Sequence, residues 1–344
     1  LISIASLLSN DQDPKNGRST LFIVSLLLLF NFQHFHTILC AFSGTTYYLA
    51  AIFALVAFKY MKSNHRSGFL LVLCASTLAV WTFGNGWLVF PILSVHYVLD
   101  KKWKNLFLIL AVTTANAVVY FIGYHPDRLN SIDSFSIIGI LEYTAIFLGN
   151  SFQFLYHPLI PYSAAAFISI VFLISSFKIF IKRESPDTVF YMLAFLIGSA
   201  IMAAVFRHQS GVEQAYSVRY GFFSSMAFWC AVLLLVRHYR LDLTKYGKKV
   251  MIGGAALLTL LKAILFYPEM AVAQEEYREM MKDWKRKGKE IEKHTPFYPR
   301  GIVRIMDQSE INGTWRFHGN DTLPPNNPMF TIQYIHEKNR WIDR

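Results

Sequence analysis

The sequence predicts an all-α polytopic membrane protein, a helical bundle of about eight to ten transmembrane segments followed by a small C-terminal extramembrane tail. Three observations carry that prediction. The 344 residues are 54% hydrophobic and 16% charged, where ordinary soluble domains are about 25% charged. Several apolar runs approach the roughly 20 residues that cross a bilayer. The basic residues gather in alternate connections between those runs, the arrangement of cytoplasmic loops. The same composition excludes a disordered chain, a coiled-coil rod and a disulfide-stapled secreted domain.

The elements follow in chain order. Residues 1–9 are apolar, and the chain opens on Leu1 inside that stretch, so the sequence reads as a fragment whose natural start lies upstream. Thr20 to Cys40 is apolar but holds Gln33, His34 and His36; Gly44 to Tyr60 is the next span. Phe69 to Leu99 is too long for one crossing and is broken at Gly84-Asn85-Gly86, residues suited to a tight turn. A helical hairpin is therefore expected there. Leu106–Ile122, Ala164–Ile181, Val189–Phe206, Tyr220–Val236 and Val250–Phe266 are further spans. Phe135–Leu148 is apolar but short, which suits a re-entrant or interfacial piece.

Charge gives the topology. Residues 269–344 hold 13 basic and 12 acidic side chains, leaving 20 and 10 to residues 1–268. Connections 59–66, 101–104, 178–183 and 237–249 carry fourteen Lys and Arg; connections 31–43, 84–86, 123–133 and 207–219 carry three. This division needs a turn at 84–86 and a segment 135–148 that does not fully cross. It places the tail 269–344 outside the cytoplasm, with a helix over 271–293 that rests on the membrane or the bundle and a small irregular or β-rich segment after it. The basic excess sits in short loops and not on one aromatic-rich face, which argues against a nucleic-acid partner. Cys40, Cys74 and Cys230 share no short spacing and are expected to be buried, inert thiols.

Polar groups at membrane depth are costly and mark candidate sites. Gln33 and His36 either meet headgroups or line a substrate cavity. Asn85 either sits in a plain turn or lines a break. Asp127 beside Arg128 is a solvated ion pair. Glu142, inside the short apolar run, is either an interfacial side chain or an acid/base. The richest stretch runs from Arg207 and His208 through Glu213 and Gln214 to Arg219 and Tyr220. Arg219 stands where a loop enters a span; its planar fork suits a lipid phosphate, although pairing with Glu213 would also hold it. Lys262 is expected to snorkel to the interface. No metal-binding, phosphate-loop or nucleophile-elbow motif is present, so no cofactor is expected.

Taken together, Asn31-Phe32-Gln33 to Phe42, then TFGNGWLVFPIL, YFIGYHPD, LEYTAIFLGNSF and GVEQAYSVRYGFFSSMAFW resemble a group of bacterial multi-span proteins related to the GT-C glycosyltransferases. Those proteins carry a comparable Asn-Gly-Leu-x-x-Trp-Pro stretch and a Ser-Arg-Tyr-Thr at a span entrance. Here Phe90 replaces the Trp, Val218 separates Ser217 from Arg219, and Gly221 follows Tyr220. The resemblance covers about residues 20–240. It implies a bacterial inner-membrane enzyme of the cell envelope, a polyprenyl-phosphate sugar donor, a glycan or lipid acceptor, and transfer on the outer face. It also implies a catalytic acidic residue before Leu1, so no catalytic residue is assigned within the chain. The alternatives are a transporter or flippase of lipid-linked sugars, an O-antigen polymerase-like enzyme, and a non-catalytic membrane scaffold.

Overall fold

The computed structural model describes residues 23–24, 27, 41–63, 65–122, 136–155, 157, 159–181, 186–208, 211–217, 220–238, 249, 251–267 and 271. The expectations for 1–22, for Gln33, His34, His36 and Cys40, for Asp127 and Arg128, and for the tail 272–344 lie outside these residues. Clustering divides the chain into Leu1–Ile264 and Leu265–Arg344; the first unit is the helical bundle.

Among the described residues the secondary structure is helical. The helices are α1 Ala41–Tyr60, α2 Arg66–Thr82, α3 Val89–Leu99, α4 Trp103–Phe121, α5 Ile137–Gly149, α6 Leu159–Phe180, α7 Thr188–Arg207, α8 Gly221–His238 and α9 Met251–Tyr267. Short 3-10 turns occupy Gly84–Leu88, Asn150–Leu155 and Val212–Tyr216. Three helices, α4, α6 and α7, are long and apolar enough to cross a membrane. Among the others, α3 with 11 residues and α5 with 13 are well short of a crossing.

Local chemistry sets the boundaries. The Asp187 side chain accepts a hydrogen bond from the Phe190 N–H at 2.8 Å and caps α7, where a carboxylate also meets the positive end of the helix. α6 begins five residues before the apolar run Ala164–Ile181. Pro161 lies in its first turn, where the missing N–H has no helical partner to lose. The expected hairpin forms as α2, a 3-10 turn and α3. Gly86 is required there, because a Cβ at this position would lie 2.1 Å from the Ala79 carbonyl oxygen.

The centre of the bundle is α7 and α8. Tyr191, Leu193, Phe195, Phe222, Phe223, Met226 and Trp229 are buried almost completely. α1 packs on α2 and α7 through Ala50, Ala51, Ala54 and Ala57, which are wholly buried; small side chains let helix backbones approach. Polar groups join helices inside. His96 Nδ1 meets the Tyr191 hydroxyl at 2.8 Å between α3 and α7. Trp81 Nε1 donates to Asn116 Oδ1 at 2.9 Å between α2 and α4. The outside is apolar: Phe107, Ile122, Leu173, Phe177 and Phe206 all stand exposed. The thiols split. Cys230 is buried as expected, but Cys74 is exposed, because its face of α2 turns away from the core.

One contact fixes the junction between α5 and α6. A Cβ at Gly149 would lie 2.0 Å from the Pro161 carbonyl oxygen. Gly149→Ala is expected to lower stability in detergent by about 1–3 kcal/mol. Gly253→Ala, where a Cβ meets nothing within 4 Å, should leave stability equal or raise it by about 0.5–1 kcal/mol. Equal melting of wild type and Gly149→Ala would refute the close approach.

Candidate functional site

The short helix α5 organises the polar groups. At its start Ser136 Oγ accepts from the Gly139 N–H at 3.1 Å, the usual N-cap arrangement. The Ser136 N–H donates to His208 Nε2 at 3.4 Å, and His208 Nδ1 lies 3.0 Å from the Ala204 carbonyl. One tautomer serves both contacts, with the proton on Nδ1. At the other end Asn150 Nδ2 donates to the carbonyls of Ala215 and Ser217 at 2.8 and 3.0 Å. The Ser151 N–H donates to Ser224 Oγ at 2.8 Å, and that hydroxyl donates to the Leu148 carbonyl at 2.5 Å.

Both ends of α5 are thus tied to one stretch of chain, 204–224. Thirteen residues rise about 20 Å, so the helix is too short to cross and is held where the α7–α8 connection lies. This agrees with the expectation that 135–148 does not span. The two quoted strings LEYTAIFLGNSF and GVEQAYSVRYGFFSSMAFW, far apart in sequence, are the two sides of this seam.

Candidate side chains collect along it. The Arg207 guanidinium at the end of α7 donates to the Tyr220 hydroxyl and lies 5.9 Å from the centre of that ring. Tyr220 is buried and packs on Phe147 of α5 with ring centres 4.6 Å apart. The Tyr162 hydroxyl of α6 donates to Glu142 Oε1 of α5 at 3.0 Å. Gln214 is half-buried, and its Oε1 has no hydrogen-bond partner among the described residues. Arg207, His208, Gln214, Tyr220 and Glu142 therefore all stand on α5 or on the stretch that holds it. Asn85 stands apart, buried in the 3-10 turn between α2 and α3. Gln33, His36, Arg219 and the Glu213 side chain lie outside the described residues. Among the described residues no three of His, Cys, Asp and Glu come together as a metal site.

The structure corrects one expectation and adds a site. Lys262 does not reach the surface of the bundle; its side chain is only 6% exposed. Its Nζ lies 6.0 Å from the centre of the Phe152 ring. It borders a cavity with Ser151, Ser225 and Thr259. The turn Asn150–Leu155 and helix α8 close over the lysine from the side, which a reading of α9 alone does not reveal. Thr259, three residues before Lys262 and so on the same helix face, was the available signal.

Comparison with models of protein families, with curated proteins and with solved structures gives no match to this chain. The functional argument therefore rests on the residues themselves.

The seam makes a specific prediction. Asn150→Ala leaves two buried carbonyls without their donor, at about 1–3 kcal/mol each, and should raise amide exchange over residues 211–217. Combined with Ser224→Ala in a double-mutant cycle, it should show a coupling of about 0.5–3 kcal/mol. Unchanged exchange with strict additivity would mean that the two ends of α5 are held independently.

Proposed function

We propose that this chain is an integral protein of the bacterial inner membrane that transfers a sugar from a polyprenyl-phosphate donor to a glycan or lipid acceptor in the cell envelope. The membrane setting is supported by three helices of crossing length, by an exterior of exposed large apolar side chains, and by the fourteen-to-three division of basic residues between alternate connections. Soluble monomers rarely expose so continuous an apolar surface.

The observation that carries the chemistry is Arg207 fixed by Tyr220 beside the end of α5. A guanidinium has five N–H donors, and Tyr220 engages one of them from the side. The fork that remains is oriented, and an oriented fork suits phosphate oxygens. Arg219, one residue before Tyr220, would add a second cation to the same phosphate. In the transfer, the acceptor hydroxyl oxygen bonds to the anomeric carbon as the bond from that carbon to the phosphate oxygen breaks. The departing phosphate takes the electron pair, and Arg207 and Arg219 stabilise its charge, while His208 holds the start of α5 in place beside them. The acceptor's proton passes to a carboxylate. Among the described side chains Glu142, oriented by Tyr162, is the carboxylate at this end.

In proteoliposomes supplied with a polyprenyl-phosphate sugar, Arg207→Ala and Arg219→Ala should each slow transfer by about 100-fold or more, the scale of losing one charge-stabilising donor. Glu142→Gln should slow it with little change in donor binding. Transfer and donor binding untouched in both arginine variants would overturn the reading. A cysteine at Ser309 should react with a membrane-impermeant reagent from outside intact cells; protection from it would reverse the topology.

A further inference from the structure

The basic connections 59–66 and 101–104 stand together in the fold. α1 packs against both α2 and α3, and the charges of Lys62 from the first connection and Lys102 from the second both act on the ring of buried His96. The two connections bring six Lys and Arg and a single acid, Asp100. That carboxylate is already shared, 3.5 Å from Lys102 Nζ and 3.6 Å from His96 Nε2. Lys101 and Lys104 are exposed and make no ion pair among the described residues.

Both of these lysines sit where local structure disfavours them. The Lys101 N–H donates to the Val98 carbonyl at 3.1 Å and the Lys102 N–H to the Tyr97 carbonyl at 2.9 Å. This closes α3 in a Schellman turn with Lys101 at its left-handed position, φ 54°, where glycine is the usual residue because a Cβ is strained there. Lys102 already supplies the cation that suits the C-terminal end of α3. Lys104 lies in the first turn of α4, which has no acidic residue, and a cation there meets the positive end of the helix dipole. Orientation in a membrane needs lysines somewhere in the connection; it does not need them at these two positions. Local rules broken without a structural return mark a functional position.

The surface beside them is aromatic and apolar. Tyr60 and Trp103 are exposed, and so are Phe107 and Leu108, which follow Lys104 by one turn on the same face of α4. Three residues apart, the Cα atoms of Lys101 and Lys104 are at most about 11 Å from each other, so both flexible stems reach a shared phosphate. We infer that Lys101 and Lys104 form a headgroup site for an anionic phospholipid of the surrounding leaflet, whose acyl chains lie along Phe107 and Leu108. The inference rests on the membrane setting proposed above and on nothing in the transfer reaction.

Native mass spectrometry of the full chain in detergent, with phosphatidylglycerol or phosphatidylcholine added, tests it. Wild type should retain phosphatidylglycerol at least tenfold more strongly than phosphatidylcholine. Lys104→Gln should lower phosphatidylglycerol retention about fivefold, the scale of one lysine at an anionic surface. Lys101→Gly should lower it as much while melting at the same or a higher temperature, since glycine relieves the backbone. Removing two charges from another basic connection, with Lys178→Gln and Arg183→Gln, should cost less than twofold. An equal loss in that control and in Lys101→Gly with Lys104→Gln would overturn the site, because the lipid would then answer to net charge alone. Undiminished retention in both lysine variants, or no lipid preference in wild type, would overturn it and leave the lysines with orientation as their role. Retention lost only together with a lower melting temperature would mean that Lys101 serves the fold, and would overturn it too. The assay contains no sugar donor, so failure of the transfer reaction leaves its result unchanged.

Discussion

The fold around α5 depends on one buried carboxamide. Asn150 is wholly buried, and its Nδ2 serves two carbonyls of the 211–217 stretch. Next to it Ser224 links the Leu148 carbonyl in the last turn of α5 to the Ser151 amide just beyond the helix. A helix end leaves carbonyls without intrahelical partners, and inside an apolar bundle there is little water to take them. An end stopped short in such a place needs side-chain donors at that point. α5 therefore ends where Asn150 and Ser224 can meet it. Its C-terminal turn also needs Gly149, because the Pro161 backbone occupies the space of a Cβ. These requirements fix where α6 begins and how the α7–α8 connection folds back.

The same economy runs through the rest of the bundle. Buried polar atoms join helices in pairs, His96 with Tyr191 and Trp81 with Asn116, and each such bond is worth about 0.6–2 kcal/mol in a membrane protein. The remaining interior is aromatic and small-residue packing, such as the stacked rings of Phe172 and Phe190 at 5.4 Å. Large apolar side chains stand on both sides, Trp229, Phe195 and Phe222 inside and Phe107, Leu173 and Phe206 outside. An exterior as apolar as the interior is what distinguishes this bundle from an ordinary soluble domain.

The helices were largely legible because each follows a continuous apolar run, and the turn at Gly84–Leu88 was legible because two glycines and an asparagine break one. α6 starts five residues before the apolar run Ala164–Ile181 because Pro161 sits in its first turn, where a proline loses no hydrogen bond. The site was legible only in part. Arg207, His208, Gln214, Tyr220 and Glu142 stood out as polar groups in apolar surroundings. Nothing local in the sequence says that Asn150 reaches Ala215, or that Ser224 reaches Leu148, because those contacts span 65 and 76 residues. Lys262 was misread for the same reason. A lysine near a helix end snorkels unless other segments cover it, and of the two that cover Lys262 the turn Asn150–Leu155 is more than 100 residues away in the chain.

The placement of α5 and the distribution of charge support each other. On the proposed topology α5 does not cross, so the connections before and after it lie on the same side. The basic clusters at 59–66, 101–104, 178–183 and 237–249 then share the opposite side, and the division is fourteen against three. If α5 crossed, every later connection would change sides. The cluster at 178–183 would then join Arg128, and that at 237–249 with it, while Arg207 and Arg219 moved to the other group. The division would fall to nine against eight, which carries no orientation at all. A carboxamide and a serine hydroxyl hold the end of α5 against the α7–α8 stretch, and on the proposed topology that contact is what makes the charge division one-sided.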